Sequence, residues 1–150
     1  VLDGARRPTS DLKAVLYIFR HMPEVGAVIH THQPYAVAAG LLTDELPVVS
    51  VTMADELHGC VPVAPFTISS DERMGIETVE HAGKAPAVLL KHHGAMVFAD
   101  TLEKALSSAV YLEESCRIFT LAAACGRPVP ALTGEQVEEE DTPRGYYGQP

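Results

Sequence analysis

Apolar residues along this chain alternate between short continuous runs and stripes at helical spacing. After Pro8-Thr9-Ser10-Asp11, the positions Leu12, Val15, Leu16 and Phe19 predict a helix with Ser10 as its N-cap and Met22-Pro23 as its stop. Val25 to Ile29 then reads as a strand, and Tyr35 to Leu42 as a short apolar helix. Pro47 to Val51 predicts a strand leading into Thr52-Met53-Ala54-Asp55, and Val61 to Ala64 a further strand fenced by prolines. Ile68 to His81 carries weak helical periodicity, and Ala87 to Leu90, behind Pro86, predicts another strand. The clearest helix runs from about Thr101 to Cys125. Leu102, Leu106, Ala109, Leu112, Cys116 and Phe119 recur on one side, Asp100 with Glu103 suits a capping box, and Gly126 and Pro128 end it. The run Glu138 to Asp141 is expected to be solvated and mobile, ahead of a tail ending Tyr146-Tyr147-Gly148-Gln149-Pro150. Strands alternating with helices in one unit give an α/β class.

Composition narrows the function. With 150 residues and 47% hydrophobic content, one substantial core can form. The formal charge of −9 and the lack of a basic stripe exclude a nucleic-acid surface, which needs clustered Lys and Arg. Cys60, Cys116 and Cys125 show no paired spacing and suit a reducing compartment. No apolar stretch is long enough for a bilayer and no signal pattern opens the chain, so a cytoplasmic protein without membrane partners is expected. Val1-Leu2-Asp3-Gly4 reads as a strand end and turn with nothing before it, and the expectation is that an N-terminal portion is absent.

Chemistry concentrates in two histidine clusters, His30-Thr31-His32 and Lys91-His92-His93-Gly94, each closing an apolar strand. Side chains two apart on a strand share a face, so His30 and His32 can reach one point. A third imidazole from the second cluster, His92 or His93, would complete a three-nitrogen face around a divalent metal. Three protein ligands with a position left open is the arrangement of a catalytic site, since structural sites close with four.

The order Pro8-Thr9-Ser10-Asp11, Ile29-His30-Thr31-His32, Thr52-Met53-Ala54-Asp55, His93-Gly94 and Tyr146-Tyr147-Gly148-Gln149 resembles the class II aldolase/adducin family, with the L-ribulose-5-phosphate 4-epimerases as the nearest pattern. The resemblance covers essentially the whole chain. It implies one catalytic domain over residues 1–150, with 138–150 as its tail, and a three-layer α/β/α fold around a mixed central sheet. It implies metal ligation by His30, His32 and His93, with zinc as the first choice and manganese or cobalt as alternatives. Asp11 stands where the epimerases have Asp and the aldolases Glu. Asp55 and Tyr147 resemble an acid/base pair that reaches the metal of a neighbouring subunit in a homotetramer. Thr9 and Ser10 resemble part of a phosphate pocket, where hydroxyls and helix N-terminal amides meet an anion. Met53 replaces a His of the pattern, and the basic residues ahead of its Tyr-Tyr-Gly-Gln ending are largely replaced by acids here. The implied activity is metal-dependent interconversion of L-ribulose 5-phosphate and D-xylulose 5-phosphate by retro-aldol cleavage and re-addition. A sugar-phosphate aldolase of the L-fuculose-phosphate type or a decarboxylase is the alternative, and an adducin-like, metal-free interaction domain is a third reading. The retained histidines speak against the third.

Overall fold

A five-stranded mixed sheet in the order β1-β5-β4-β3-β2 forms the middle layer of the protein, seen in a computed structural model that describes residues 7–141. The strands are β1 (Ala27–Thr31), β2 (Glu45–Leu46), β3 (Val61–Ala64), β4 (Ala87–Leu90) and β5 (Gly94–Ala99). The helices are α1 (Leu12–His21), α2 (Pro34–Leu42), α3 (Val51–Leu57), α4 (Glu72–Ala82), α5 (Leu102–Ala123) and α6 (Gly134–Glu140). β3 and β4 are parallel, and the remaining neighbours are antiparallel.

Strand parity sorts the core into two layers. In β4, Ala87 and Leu89 join Ala36, Ala39, Leu57, Leu112 and Cys116 from α2, α3 and α5. Val88 and Leu90 pack on the other side with Ala14, Ile18 and Met74 of α1 and α4. β5 repeats the rule, with Ala95 and Val97 on the first side and Met96 and Phe98 on the second. Helices therefore cover both faces, the three-layer α/β/α architecture. Truncating a fully buried Leu89 or Met96 to Ala would cost about 2–5 kcal/mol. α1 and α4 approach closely because Gly75 has no Cβ; one built there would lie 2.5 Å from the Ala14 carbonyl oxygen.

Several elements differ from the expectations above. α1 starts one residue later, with Asp11 at the cap position and no side-chain capping bond. Pro47 to Val51 is not a strand. The Ser50 hydroxyl instead accepts from the Met53 amide and starts α3 at Val51, while Pro47, lacking an N–H, follows the two-residue β2. The pattern of apolar positions does not mark β5. It is buried on both faces and has no polar alternation to reveal it. The cap of α5 is Thr101, accepting from the Lys104 amide, while Asp100 pairs with the Lys104 ammonium. Leu102 and Leu106 are exposed, so the buried stripe begins at Ala105. The acidic run is helical: a Thr133/Gln136 capping box starts α6, Val137 packs on the core, and Asp141 meets His58. No helix among the described residues is long and apolar enough to cross a membrane.

Candidate metal centre

β1 carries His30 on the same side as Val28, the side covered by α1 and α4. His30 sits opposite Met96 in the ladder, and its Nδ1 lies 3.0 Å from the Ala95 carbonyl oxygen. An N–H donated from Nδ1 to that carbonyl leaves the lone pair on Nε2, pointing out of the sheet. His32 follows the strand, with its Nε2 3.1 Å from that of His30. His93, from the turn between β4 and β5, places its Nε2 3.1 Å from that of His32. One ligand atom from each of the three residues falls within 4.8 Å of the others.

The turn explains which histidine of the second cluster points inward. Leu90 pairs with Gly94, leaving a three-residue connection, Lys91-His92-His93. His92 adopts the left-handed conformation, φ 62°, and its exposed ring meets Phe66 edge-on at 6.3 Å. The His93 amide then donates to the Leu90 carbonyl at 3.0 Å, and the side chain turns toward His30 and His32. Gly94 is required by close approach. A Cβ there would stand 2.0 Å from the Thr31 carbonyl oxygen, so any larger residue would push β5 away from the strand carrying His30.

Asp11 lies at the start of α1 on the same side of the sheet, buried at 9% exposure. Its carboxylate accepts from the Ser70 amide at 3.1 Å and the Ser10 hydroxyl at 3.3 Å, and its own amide donates to the Thr9 hydroxyl at 3.3 Å. It is not among the clustered ligand atoms, but its charge acts on His93. Desolvation, followed by the neighbouring His30 and His32, lowers the His93 pKa from its ordinary value; Asp11 opposes this and does not prevail. The balance favours the neutral imidazole, the form that binds metal.

This donor set fits a divalent ion. Two nitrogens bound at roughly 2.0–2.1 Å in tetrahedral geometry stand about 3.3 Å apart. The spacings of 3.1 Å here are close to that. Lone pairs aimed at one another at such a distance repel unless a proton or cation lies between them. The three imidazoles could supply three ligands, and His32 is exposed.

The other expected site residues are dispersed. Thr9 and Ser10 are exposed beside Asp11 at the entry to α1. Asp55 is exposed on α3 and lines a cleft with Phe98, Ala99, Asp100 and Lys104. That cleft is at the Ala99 end of β5, whereas His93 precedes its Gly94 end, about 15 Å away at strand rise. Asp55 therefore does not meet the histidines of its own chain. Tyr147 lies outside the described residues. The partners that carry no side-chain signal, and so escape a reading of the sequence, are backbone groups: the Ala95 carbonyl and the Ser70 amide.

Comparison with known proteins agrees with the fold. Residues 1–120 match the family described as Class II Aldolase and Adducin N-terminal domain. The chain is 30% identical to a 5-deoxy-D-ribulose 1-phosphate aldolase of Bacillus thuringiensis, a match covering 99% of this chain and 69% of that protein. It is 25% identical to the L-fuculose phosphate aldolase of Escherichia coli, covering 90% of this chain and 63% of the relative. A solved L-fuculose 1-phosphate aldolase shares the fold with a TM-score of 0.85 and 26% identity, over 94% of this chain and 66% of that one. The chain thus spans roughly two thirds of the relatives' length. YgbL of Escherichia coli, described as a putative aldolase/epimerase/decarboxylase, has the same fold at a TM-score of 0.80 and 23% identity, over 93% of this chain and 69% of that one. By the match over residues 1–120 and the likeness to these relatives, the chain belongs to the class II aldolase and adducin family.

Proposed function

We propose that the chain binds a divalent metal through His30, His32 and His93 and cleaves a carbon–carbon bond of a phosphorylated ketose as an aldolase. The observation that carries this reading is the convergence of three imidazoles on an open face with a buried carboxylate nearby. A divalent ion held there supplies Lewis acidity toward the ketone and hydroxyl oxygens of the substrate. Zinc suits three imidazoles, and manganese or cobalt would also be accepted. Neutral ligands leave the positive charge of the ion uncompensated, and the lowered His93 pKa favours that state. Asp11, held by the Ser70 amide, would take a proton at one carboxylate oxygen and return it to the ketone fragment. Thr9, Ser10 and the α1 N-terminus would receive phosphate oxygens. The relatives' names, a 5-deoxy-D-ribulose 1-phosphate aldolase and an L-fuculose phosphate aldolase, support this reaction class. Incubating the zinc-loaded protein with each of these ketose 1-phosphates should release dihydroxyacetone phosphate. No release from either, with zinc bound, would overturn the aldolase reading.

A second reading is 4-epimerisation of L-ribulose 5-phosphate to D-xylulose 5-phosphate. Asp in place of Glu at position 11 and the exposed acid Asp55 favour it. There the aldehyde fragment stays bound and turns over, which needs proton-transfer groups on both of its faces, the roles proposed for Asp55 and Tyr147. Both groups would act on a neighbouring subunit of a homotetramer. Exposed apolar residues on the two helices that line the Asp55 cleft, namely Val51 on α3 and Leu102, Leu106 and Val110 on α5, support a subunit interface on this part of the chain. Formation of D-xylulose 5-phosphate without free glycolaldehyde phosphate would select this reading over the first.

A further inference from the structure

His32 is the ligand with the least support from the sheet. The β1–β5 register ends at Thr31, so the ladder does not hold the backbone of His32. Its support comes from the other direction, where α2 begins two residues later. A helix start leaves its first amides without partners inside the helix. Pro34 has no N–H, Gln33 makes no side-chain capping bond, and the Val37 amide reaches the Gln33 carbonyl at 3.0 Å. The two amides left over, Tyr35 and Ala36, both donate to one carboxylate, that of Glu113 on α5, at 3.1 and 2.9 Å. The Gln33 side chain is engaged elsewhere. Its Nε2 donates to the Ala109 carbonyl at 3.0 Å, and its Oε1 accepts from the Thr31 hydroxyl at 2.9 Å. Ala109 and Glu113 are one helical turn apart, so the segment Thr31 to Ala36 is tied to a single stretch of α5.

We propose that Glu113 is a positioning residue for the metal centre: by capping α2 from outside, it fixes where the chain leaves His32 and so where that imidazole points. The inference rests on the reading that the three histidines bind a divalent ion. Glu113 has no role toward substrate, and it acts through the backbone of residues 33–36. A carboxylate is the group this task demands. It presents an acceptor oxygen to each amide, and its charge suits the positive end of the helix dipole. A Gln at the same place offers one acceptor and turns an NH₂ toward the other amide. That mismatch would displace the start of α2 and, with it, His32.

The test is a cobalt titration of the metal-free protein, read from the d–d absorption of the bound ion. Glu113→Gln should weaken Co²⁺ binding at least tenfold and change the d–d spectrum, because one imidazole is displaced. Glu113→Asp keeps two acceptor oxygens and the charge, and should restore part of the affinity. Thr101→Ala removes the N-cap of α5, far from the histidines, and should lower Tm while leaving Co²⁺ affinity unchanged. That control separates positioning from a general loss of stability. A folded Glu113→Gln protein with the parent's affinity and spectrum would overturn the proposal alone. A parent protein that takes up no Co²⁺ would overturn the metal reading, and this proposal with it. If Glu113→Gln does not fold, the outcome rests on Glu113→Asp and Gln33→Ala: weaker binding in both supports the proposal, and parental binding in both overturns it.

Discussion

The two ends of the sheet are built on different physics. At the Gly94 end of β5, side chains are set by backbone: His30 by ladder parity and the Ala95 carbonyl, His93 by a tight turn, and Asp11 by the Ser70 amide. The groups there are partly desolvated, and burial favours neutral imidazole at His93. At the Ala99 end, Asp55, Glu56, Asp100, Lys104 and His58 line an open cleft, and charged partners such as Asp100 and Lys104 meet in solvent. Rigid, convergent groups can hold an ion by themselves. Exposed, divergent ones can act only on something brought to them from outside. The two ends are thus expected to respond differently to substitution.

The largest effect is expected for His32→Ala or His93→Ala. Either should abolish stoichiometric zinc binding, measured by atomic absorption after dialysis, and leave the metal-free fold intact. Retained zinc in both variants would mean that the ion is held elsewhere. Next, under the 4-epimerase reading, Asp55→Asn should leave zinc content unchanged and lower the epimerisation rate by about 10²-fold or more, the usual range for lost acid–base catalysis. Mixing His32→Ala and Asp55→Asn subunits and reassembling them should restore part of the epimerase activity, because some interfaces then combine an intact Asp55 with an intact metal centre. Failure to recover any activity would break the claim that the two ends meet across a subunit boundary.

Legibility in the sequence follows the same divide. The His30/His32 pair can be read from strand parity, and β3 and β4 from their proline-fenced apolar runs, because in those places side-chain chemistry and local structure coincide. β5 cannot. A strand buried on both faces has no polar alternation, and Gly94 to Ala99 looks like an extension of the histidine motif rather than a strand inside the sheet. Leu102 and Leu106 fit a helical stripe yet face solvent, since periodicity does not say which part of a stripe lies beyond the edge of the core. In the site, Asp11 is visible as a carboxylate. Its anchor is not, because a backbone amide 59 residues away leaves no mark in composition or spacing.

Gly94→Ala probes how strictly the histidine end depends on backbone approach. With the Thr31 carbonyl oxygen 2.0 Å from where the new methyl group would sit, the strands must separate. Overpacking of this kind typically costs about 1–3 kcal/mol, and zinc affinity should fall because His93 and His30 move apart. A Gly94→Ala protein of parental stability and zinc affinity would show that the β1–β5 spacing is slack.

A smaller effect is expected from pH. The His93 pKa is lowered in the folded chain, so between that value and the unfolded value of about 6.5 the unfolded state binds more protons. Metal-free stability should therefore rise with pH through the window below about 6.5 and then level off. His93→Gln should flatten this dependence in urea titrations carried out from acid to neutral pH. A slope unchanged by His93→Gln would assign the dependence to other groups.

The smallest effect belongs to the charged end. His58 and Asp141 approach to 2.6 Å, but their side chains are 57% and 41% exposed, so water and salt compete for both. Exposed pairs of this type contribute about 0–1 kcal/mol. α6 is held in any case by its capping box, by Val137 packed on the core, and by the Leu132 amide donating to the Val48 carbonyl at 2.8 Å ahead of it. Asp141→Asn should then shift unfolding stability by less than about 1 kcal/mol, and high salt should erase the difference. Zinc affinity should not move, because the hydrogen bonds of the histidine cluster among the described residues run to β1, β5 and the turn before it, not to α3 or α6. A changed zinc affinity in Asp141→Asn would mean that the two ends are coupled through the sheet, and the contrast between them would have to be abandoned.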